Sequence, residues 1–362
     1  MDYLNFIGLD IGKKTIDVAI PVKDGFTHRR INNTKAGFEA LHTELLKLQT
    51  TAQKKKDSLQ FHIVSEATGI YYVPIHEYFV GKGYKFTVLN PLIIKEFRKT
   101  WLKDHKDDKQ DCILIAQYGK LYKGHKIMNP TPIMSLPTRQ LSQLMIMRRI
   151  IQKKMFMLGS AAENMNFAPL EVSLAQKHLE TLTQENTLKL EQIEKEMIAY
   201  VKKLYPEQYK VMKSIPSVGD SMILEIVCET DNLRMFKNLQ QFRAYAGICP
   251  REYESGSSVY KKPKLSQFAN RNLRRGLYLC AWNAKRYNPE AKALWERLPQ
   301  HLSPNAKYMH LAKKIAVQIW HCVRNLETYK PQAERLKKEA PQTLRNVPSE
   351  QLINAFESGH SV

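Results

Sequence analysis

The chain has 362 residues, 43% of them apolar, and its 56 Lys and Arg against 35 Asp and Glu give a formal net charge of +21. This composition is too apolar for a disordered chain, and no apolar run approaches the roughly 18 residues that span a bilayer. The first residues lack the pattern of a secretory leader. The five scattered cysteines form no CxxC pair, which argues against a disulfide scaffold or a zinc module and favours a reducing, cytoplasmic setting without a membrane partner.

The excess positive charge is concentrated towards the C-terminus. Residues 1–120 and 121–205 each carry a net charge of +5, whereas residues 206–362 carry +11. A chain this basic favours a polyanionic partner, of which nucleic acid is the commonest. Ordinary solvated lysines are the alternative explanation. A membrane surface is disfavoured, because no stretch is expected to combine a basic face with an aromatic one.

The N-terminal third has the pattern of an α/β domain. Residues 4–20 predict a hairpin, because two apolar, β-branched runs flank the turn Gly-Lys-Lys-Thr. Residues 59–66 and 84–89 predict two further strands, the second of them ended by Asn90-Pro91. Residues 107–122 then predict a helix. Strands that alternate with helices indicate an α/β fold, and we assign this domain to residues 1–125.

The middle of the chain predicts two long helices. A Pro-rich connection, residues 126–137, leads into apolar residues at 3-4 spacing, interrupted by Arg148 in the first helix and by Thr183 and Asn186 in the second. This spacing predicts an antiparallel helical pair or a coiled coil, with two ordinary amphipathic helices as the alternative. In either case residues 126–205 form a spacer or assembly element that carries no chemistry.

The last part of the chain is expected to be mainly helical. We place this C-terminal domain at residues 206–330, with a loop-rich insert at 247–266. Residues 331–362 form a polar tail.

Four acidic residues stand at positions that suggest a metal site. Asp10 lies inside an apolar strand, where a carboxylate is costly unless it is paired or holds a cation, and Glu66 ends a second apolar strand. Asp108 and Asp111 share one face at the start of the helix. Singly, each fits a capped helix or a turn at a strand end. Together they suggest a site for a hard divalent ion such as Mg²⁺ or Mn²⁺, which can clamp a phosphodiester.

These blocks resemble a known family. The segments IGLDIGKKTIDVAI, VSEATG, NP and KDDKQDCILIAQYG are similar to the RuvC-like DEDD domain of bacterial insertion-sequence transposases of the "one-ten" group. The resemblance implies a RuvC/RNase-H-like fold and assigns the metal role to Asp10, Glu66, Asp108 and Asp111, with Mg²⁺ as the cofactor and Mn²⁺ as a substitute.

The third block departs from the usual Lys-Thr-Asp-x-x-Asp-Ala of the family. Asp107 replaces the Thr and Cys112 the Ala, while the spacing of the two acids is kept. Asp104 and Asp107 are additional acids in this block, so which of them ligate stays open. Asp17, on the second strand of the hairpin, is interpreted as structural or as a residue that supports the metal ligands from behind.

A serine and a run of cations mark the C-terminal domain. Ser255-Gly256 lies in a polar segment, and such pairs are usually turns, although cations beside a hydroxyl can hold a phosphate. The pattern Ala-Tyr-Ala-Gly-x-x-Pro, Ser-Gly, Asn-Arg-x-Leu-Arg resembles the C-terminal transposase domain of the same group. That resemblance implies Ser255 as the nucleophile, with Ser257 and Ser258 as alternates. The expected nucleic-acid-binding residues are Lys261, Lys262, Lys264, Arg271, Arg274 and Arg275.

Residues 214–219, Ser-Ile-Pro-Ser-Val-Gly, resemble a helix-hairpin-helix turn, which presents backbone N–H groups to a phosphate. Ser217 stands where family members often have Gly, and Gly219 keeps the second glycine. A plain turn between two helices is the alternative.

The resemblance implies a recombinase that cuts and rejoins donor and target DNA. The serine would form a covalent phosphoserine, Mg²⁺ would lie at the acidic set, and a bridge RNA would pair with both DNA partners. The acidic and serine domains would come from different protomers, with dimers pairing into tetramers. Such a protein would be bacterial and associated with the nucleoid.

Three other functions are weighed against this one. A Holliday-junction resolvase or RNase-H-like nuclease, with Ser255 inert, leaves the C-terminal region without a purpose. An actin-fold sugar kinase shares Asp-Ile-Gly on a hairpin but needs a second Asp-x-Gly motif, which this chain lacks. A non-catalytic nucleic-acid-binding protein leaves Asp10 in its strand unexplained. Lone histidines such as His62, His76 and His105 are interpreted as packing or surface residues.

Overall fold

The computed structural model describes residues 2–23, 25–54, 58–100, 107–165, 173–251, 254–255, 259–260, 264–265 and 268–331. The chain divides into two compact units, Met1–Ile133 and Met134–Val362. Their border falls inside the Pro-rich connection. The domain boundaries at residues 125, 205 and 330 stay predictions. Within the described part of the chain, no helix has both the length and the apolar character to cross a bilayer.

The first unit is a five-stranded mixed sheet with helices on both faces. Its sheet order is β3-β2-β1-β4-β5; β1 pairs antiparallel with β2 and parallel with β4. The elements in chain order are β1 (Asp2–Ile11), β2 (Thr15–Val22), β3 (Gly25–Asn32), α1 (Lys35–Lys54), β4 (Ser58–Glu66), α2 (Val73–Gly81), β5 (Lys85–Leu89), α3 (Pro91–Lys99), α4 (Asp108–Leu121) and a 3₁₀ turn (Lys126–Met128).

The two faces of the sheet bury different layers. Because side chains alternate along a strand, Ile7 and Leu9 of β1 face one way and pack with α1 and α2. Phe6 faces the other way and packs with α4. The predicted hairpin and the helix after residue 107 are confirmed.

Two glycines bring α4 unusually close to the central strand. A Cβ at Gly8 would collide with the carbonyl oxygen of Cys112 and lie 2.5 Å from the amide nitrogen of Ala116. A Cβ at Gly119 would lie 2.8 Å from the Phe6 ring. Helix α4 therefore crosses this face of β1. The C-terminal half of the helix lies over Phe6 of the strand, and the middle of the helix lies over Gly8. Its first turn lies towards residue 10.

The second unit is mainly helical, as predicted. Its helices are α5 (Leu136–Met165), α6 (Ser173–Leu204), α7 (Pro206–Lys213), α8 (Asp220–Thr230), α9 (Leu239–Ala246), α10 (Arg271–Tyr287), α11 (Pro289–Arg297) and α12 (Pro304–Asn325). Four two-residue strands lie in the predicted loop-rich insert: β6 (Pro250–Arg251), β7 (Glu254–Ser255), β8 (Val259–Tyr260) and β9 (Lys264–Leu265). Of residues 250–265 the backbone alone is described. Strand β6 pairs with β9, and β7 with β8.

The long helices α5 and α6 contact each other, and Arg148 lies in their buried seam. The sequence pattern treats Arg148 as an interruption, but the side chain is buried between Met145 and Ile151 on the same helix. Its Nε donates to Glu194 of α6 at 2.7 Å, and its guanidinium donates to Ser221 of α8 at 2.9 Å. The apparent break is therefore a paired buried charge that joins three helices. The coiled coil itself stays a prediction.

Candidate functional site

Asp10 and Glu66 lie side by side at the carboxyl ends of two neighbouring parallel strands. In the register of β1 with β4, Leu9 pairs with Ser65, so the next residues, Asp10 and Glu66, end the two strands together. Asp10 follows Phe6 and Gly8 on the face that α4 covers, and Glu66 follows Val64 on the same face. Both side chains are half-buried.

Helix α4 supplies the other two acids of the predicted set. Its close approach at Gly8 sets the first turn, with Asp108 and Asp111, beyond that glycine and towards Asp10. Asp107 is the N-cap, and its side chain accepts a hydrogen bond from the Lys109 amide. That contact gives Asp107 a structural role as a cap. Asp104 lies outside the described residues.

The carboxylates are close enough to perturb one another. Burial and then the negative charges of Asp111, Asp108 and Asp17, in that order, raise the pKa of Asp10, and Arg98 lowers it; together they bring it to about 6. A carboxylate whose neighbours are mainly carboxylates gains from any cation that enters between them. The same arrangement gives Asp10 a pKa near neutrality, a feature that marks functional sites.

Two arginines already neutralise part of this charge. Arg98 of α3 lies 2.7 Å from an Asp111 carboxylate oxygen, and Arg30 of β3 lies 3.0 Å from one of Asp108. Arg30 also pairs with the buried Asp17 at 2.9 Å. Guanidinium groups therefore occupy the oxygens of both α4 acids, in the way that a cation would.

Asp17 has a structural environment, consistent with its interpretation from the sequence. It lies opposite Asp10 in the register of β1 with β2. Its carboxylate accepts hydrogen bonds from Arg30 and from the His28 ring nitrogen, the latter at 2.6 Å. Because both Asp17 carboxylate oxygens accept from the Arg30 guanidinium, Asp17 orients Arg30 towards Asp108.

The four carboxylates of the predicted set are chemically suited to a hard divalent ion, but the structure does not arrange them as a complete coordination sphere. In the part of the chain that the structure describes, no group of three or more His, Cys, Asp or Glu side chains is placed to hold a metal ion. The acids near Asp10 carry carboxylates, the ligands that Mg²⁺ and Mn²⁺ prefer, and burial together with their negative charges raises the pKa of Asp10. Asp10, Asp108 and Asp111, with Glu66 beside them, are the residues that would hold such an ion.

Two of the histidines noted in the sequence, His62 and His76, are buried packing residues. His62 is buried, stacks on Phe6 and hydrogen-bonds to Thr87 at 2.8 Å, and burial lowers its pKa to about 4. The His76 ring hydrogen-bonds to the Thr131 carbonyl oxygen. His105 lies outside the described residues.

In the second unit, the predicted nucleophile lies in a small hairpin. Ser255 ends β7 and pairs with Val259 of β8, so residues 256–258 connect the two strands. Ser257, Ser258, Lys261 and Lys262 lie outside the described residues, and for Ser255 and Lys264 the backbone alone is described. The structure places Arg271, Arg274 and Arg275 in the first two turns of α10.

These three arginines do not share one environment. Arg271 and Arg275 are exposed. Arg274 is half-buried, and a Cβ added at Gly247 would lie 3.3 Å from its guanidinium. The charge that α10 offers to a partner near its start therefore comes from Arg271 and Arg275.

Residues 214–219 form the turn between α7 and α8. Ser217 has a φ of +81°, in the left-handed region that favours glycine. Gly219 has a φ of −94°, which any residue can adopt. The turn therefore holds a serine at the position whose backbone would suit glycine.

Sequence reasoning missed the cationic side of the acidic site. Arg30 comes from β3 and Arg98 from α3, neither of which the apolar pattern predicted. A signal for α3 was present, because Asn90 followed by Pro91 is typical of a helix start, and the Asn90 side chain accepts from the Leu92 amide at 2.9 Å.

The sheet order, the central Asp10 and the acids of α4 define an RNase H-like domain of the DEDD transposase type. Two family models match the chain: one described as a transposase of the DEDD IS110 type, over residues 7–155, and one described as the transposase IS116/IS110/IS902 family, over residues 209–296. The chain belongs to this family of IS110-type transposases.

Two curated relatives match most of the chain. The pilin gene-inverting protein of Moraxella lacunata is 22% identical over 282 residues, which cover 76% of this chain and 81% of that protein. The pilin gene-inverting protein of Moraxella bovis is 22% identical over 283 residues with the same shares. The protein is accordingly a transposase or recombinase that acts on DNA, and its DEDD domain suggests a divalent metal.

Proposed function

We propose that this transposase cuts and rejoins donor and target DNA through a phosphoserine at Ser255, with Mg²⁺ at the acidic set and an element-encoded bridge RNA as the guide. The observation that carries the proposal is the placement of four acids: Asp10 and Glu66 end neighbouring parallel strands, and the close approach of α4 at Gly8 sets Asp108 and Asp111 towards Asp10. The raised pKa of Asp10, caused by burial and by the charges of Asp111 and Asp108, agrees with it. An acidic site that is unfavourable without a cation is what a metal-dependent DNA enzyme requires.

The serine step is a transesterification. The Ser255 Oγ forms a bond to the phosphorus and loses its proton, while the bond from phosphorus to one deoxyribose oxygen breaks and that oxygen gains a proton. Attack by the hydroxyl of another strand on the phosphoserine reverses these changes, so the strands are rejoined without an external energy source. A divalent ion, when bound, stabilises the charge that develops on the phosphate oxygens.

The residues of the first unit have separate tasks in this reaction. Asp10, Glu66, Asp108 and Asp111 would hold the ion, which would supply positive charge beside the scissile phosphate. Arg30 pairs with Asp108 and Arg98 with Asp111, and Asp17 keeps Arg30 in place.

We also infer self-assembly, as dimers that pair into tetramers, so that the acidic and serine domains of different protomers act together. Large apolar side chains remain exposed along the two long helices, which favours assembly. They are Met157, Leu174, Leu182 and Leu188. Light scattering on the protein with and without DNA measures the assembly state.

The test is capture of the covalent intermediate. Full-length protein, Mg²⁺, labelled donor DNA and RNA transcribed from the element are incubated, and labelled DNA attached to protein is detected on a denaturing gel. We expect an adduct with the wild type, and a loss of at least about a thousandfold with Ser255→Ala. Ser257→Ala and Ser258→Ala are matched controls that keep it.

Each part of the proposal is contradicted by a different experimental result. An adduct retained by Ser255→Ala but lost in one of the control variants would move the nucleophile to that serine. Cleavage without any adduct would favour the RNase-H-like nuclease. Full activity in EDTA, or with Asp10→Ala, would remove the metal site, and full activity without RNA would remove the guide.

A further inference from the structure

Helix α10 presents a face that combines three cations with two large apolar side chains. At 3.6 residues per turn, five of its residues fall within about 80° of the helix circumference, over about 22 Å of its length. They are Arg271, Arg275, Leu279, Trp282 and Arg286, hereafter the α10 face. All five are exposed, Trp282 at 55% and Leu279 at 50%. The helix contains five basic residues and no Asp or Glu.

Packing against the described residues of the second unit does not explain this face. The opposite side of α10 is buried through Leu273, Leu277 and Ala281, so the helix is held without the exposed residues. The Arg286 guanidinium lies 5.9 Å from the centroid of the Trp282 ring. Among the residues that the structure describes, Arg271, Arg275 and Arg286 form no ion pair with a carboxylate. A large exposed ring between unpaired cations indicates a binding surface.

The α10 face continues into a cleft of about 680 Å³ bordered by α5, α8 and α10. Arg275 and Leu279 line it from α10, and Lys153 and Phe156 line it from α5. Phe156 is 76% exposed. Arg148 and Arg149 also reach the cleft, but their charges are met by glutamates. The cleft thus adds a second exposed ring and one more cation to the α10 face.

We propose that the α10 face, extended by Lys153 and Phe156, binds single-stranded nucleic acid. Exposed rings stack on the faces of unpaired bases, and the arginines pair with the phosphates. A duplex offers its phosphates to the same arginines but keeps its base faces inside the stack. The inference rests on the proposed function in taking nucleic acid as the partner, and it adds where that partner binds and in which form.

The sequence expectation that no stretch joins a basic face to an aromatic one is wrong for α10. The same combination can lie on a membrane surface, but the α10 face has one large aliphatic side chain, Leu279, and its buried side is already packed. An acidic protein partner would pair with the arginines but would not explain the exposed ring of Trp282. A single strand explains both features, because its phosphates pair with the arginines and its unpaired bases stack on the ring.

The experiment compares strands and duplexes on the full chain. Fluorescein-labelled oligomers of about 20 nucleotides, as single-stranded DNA, as RNA of the same sequence and as DNA duplex, are titrated by anisotropy. We expect Trp282→Ala to weaken single-strand binding about tenfold and duplex binding less than twofold. Single strands should also quench tryptophan fluorescence in the wild type, and the variant should lose that quenching.

Matched variants separate the ring from the charge. Tyr287→Ala removes an exposed ring of the same helix that lies outside the α10 face, and we expect no change. Arg275→Gln with Arg286→Gln should weaken single strands and duplex alike and lower the slope of log K against log salt by about two. Lys210→Gln, an exposed cation of α7, serves as the charge control. Equal losses on DNA and RNA indicate a surface for either strand, and a larger loss on one identifies it.

Three results would overturn the inference: unchanged single-strand binding by Trp282→Ala, an equal loss on duplex, or a loss reproduced by Tyr287→Ala. Binding to anionic vesicles that depends on Trp282, without single-strand binding, would overturn it in favour of a membrane. Ser255→Ala should bind all probes normally. If no serine adduct forms but Trp282→Ala still weakens single-strand binding, the proposed serine chemistry is wrong and the proposed binding surface is supported.

Discussion

Two charged side chains, one in each unit, have opposite surroundings. In the second unit the buried Arg148 of α5 pairs with Glu194 of α6 and Ser221 of α8. In the first unit the half-buried Asp10 lies mainly among other carboxylates, and burial together with their charges raises its pKa to about 6. A charged side chain that is paired within its own unit, as Arg148 is, stabilises the fold by joining the helices that supply its partners. A charge that is left among like charges is placed for a cation that arrives from outside.

The largest expected effect comes from the contact that positions the acidic site. Gly8→Ala places a Cβ against the backbone of α4 at Cys112 and Ala116. Overpacking usually costs about 1–3 kcal/mol, and here the obstacle is backbone, so we expect the free energy of unfolding to fall by about 4 kcal/mol or more. Chemical denaturation monitored by circular dichroism measures it.

Gly81→Ala is the matched control for this substitution. Gly81 ends α2 in the same unit, and a Cβ there meets nothing within 4 Å. We expect unchanged or slightly higher stability, because alanine is the better helix former. Equal stabilities of the two variants would mean that α4 does not depend on close contact with β1.

The next effect tests the internal pairing in the second unit. Arg148→Ala leaves Glu194 and Ser221 without their partner, and we expect a loss of about 3 kcal/mol, as for other broken buried ion pairs. Lys153→Ala, an exposed cation on the same helix, should change stability by less than about 0.5 kcal/mol. If both variants unfold at the same denaturant concentration, Arg148 is not a structural charge.

Arg148 also shows where sequence reasoning stops. Apolar spacing predicted the long helices, but a charged residue within the spacing reads as an interruption, because its partners lie on α6 and α8, 46 and 73 residues away. The acids were easier to find. Asp10 stands out against its apolar strand, and Asp108 and Asp111 share one face of a helix by spacing alone.

The cations of the acidic site could not be found in the same way. Arg30 reaches Asp108 because β2 and β3 pair with Asp17 opposite Arg30, and a pairing register is not visible in a single strand. The binding role of Trp282 could not be predicted from the sequence either. Its place beside Arg275 and Arg286 on one face follows from the helical period, but its exposure depends on which side of α10 the other helices cover.

The smallest effect concerns Asp10 itself and depends on pH. Because the folded-state pKa of Asp10, about 6, lies above its ordinary value of 3.8, ionised Asp10 destabilises the fold above pH 6, and this cost disappears as the pH falls towards 4. A shift of this size corresponds to at most about 3 kcal/mol, which partial solvent exposure reduces to about 1–2 kcal/mol. In EDTA, Asp10→Asn should therefore be more stable than the wild type at pH 8 and equal to it near pH 4, as measured by denaturant midpoints.

The control is Asp17→Asn. This variant should be less stable than the wild type at pH 8, because it removes the acceptor of Arg30 and His28. Adding Mg²⁺ at pH 8 should raise the Tm of the wild type more than that of Asp10→Asn; equal gains would show that Asp10 takes no part in binding the ion.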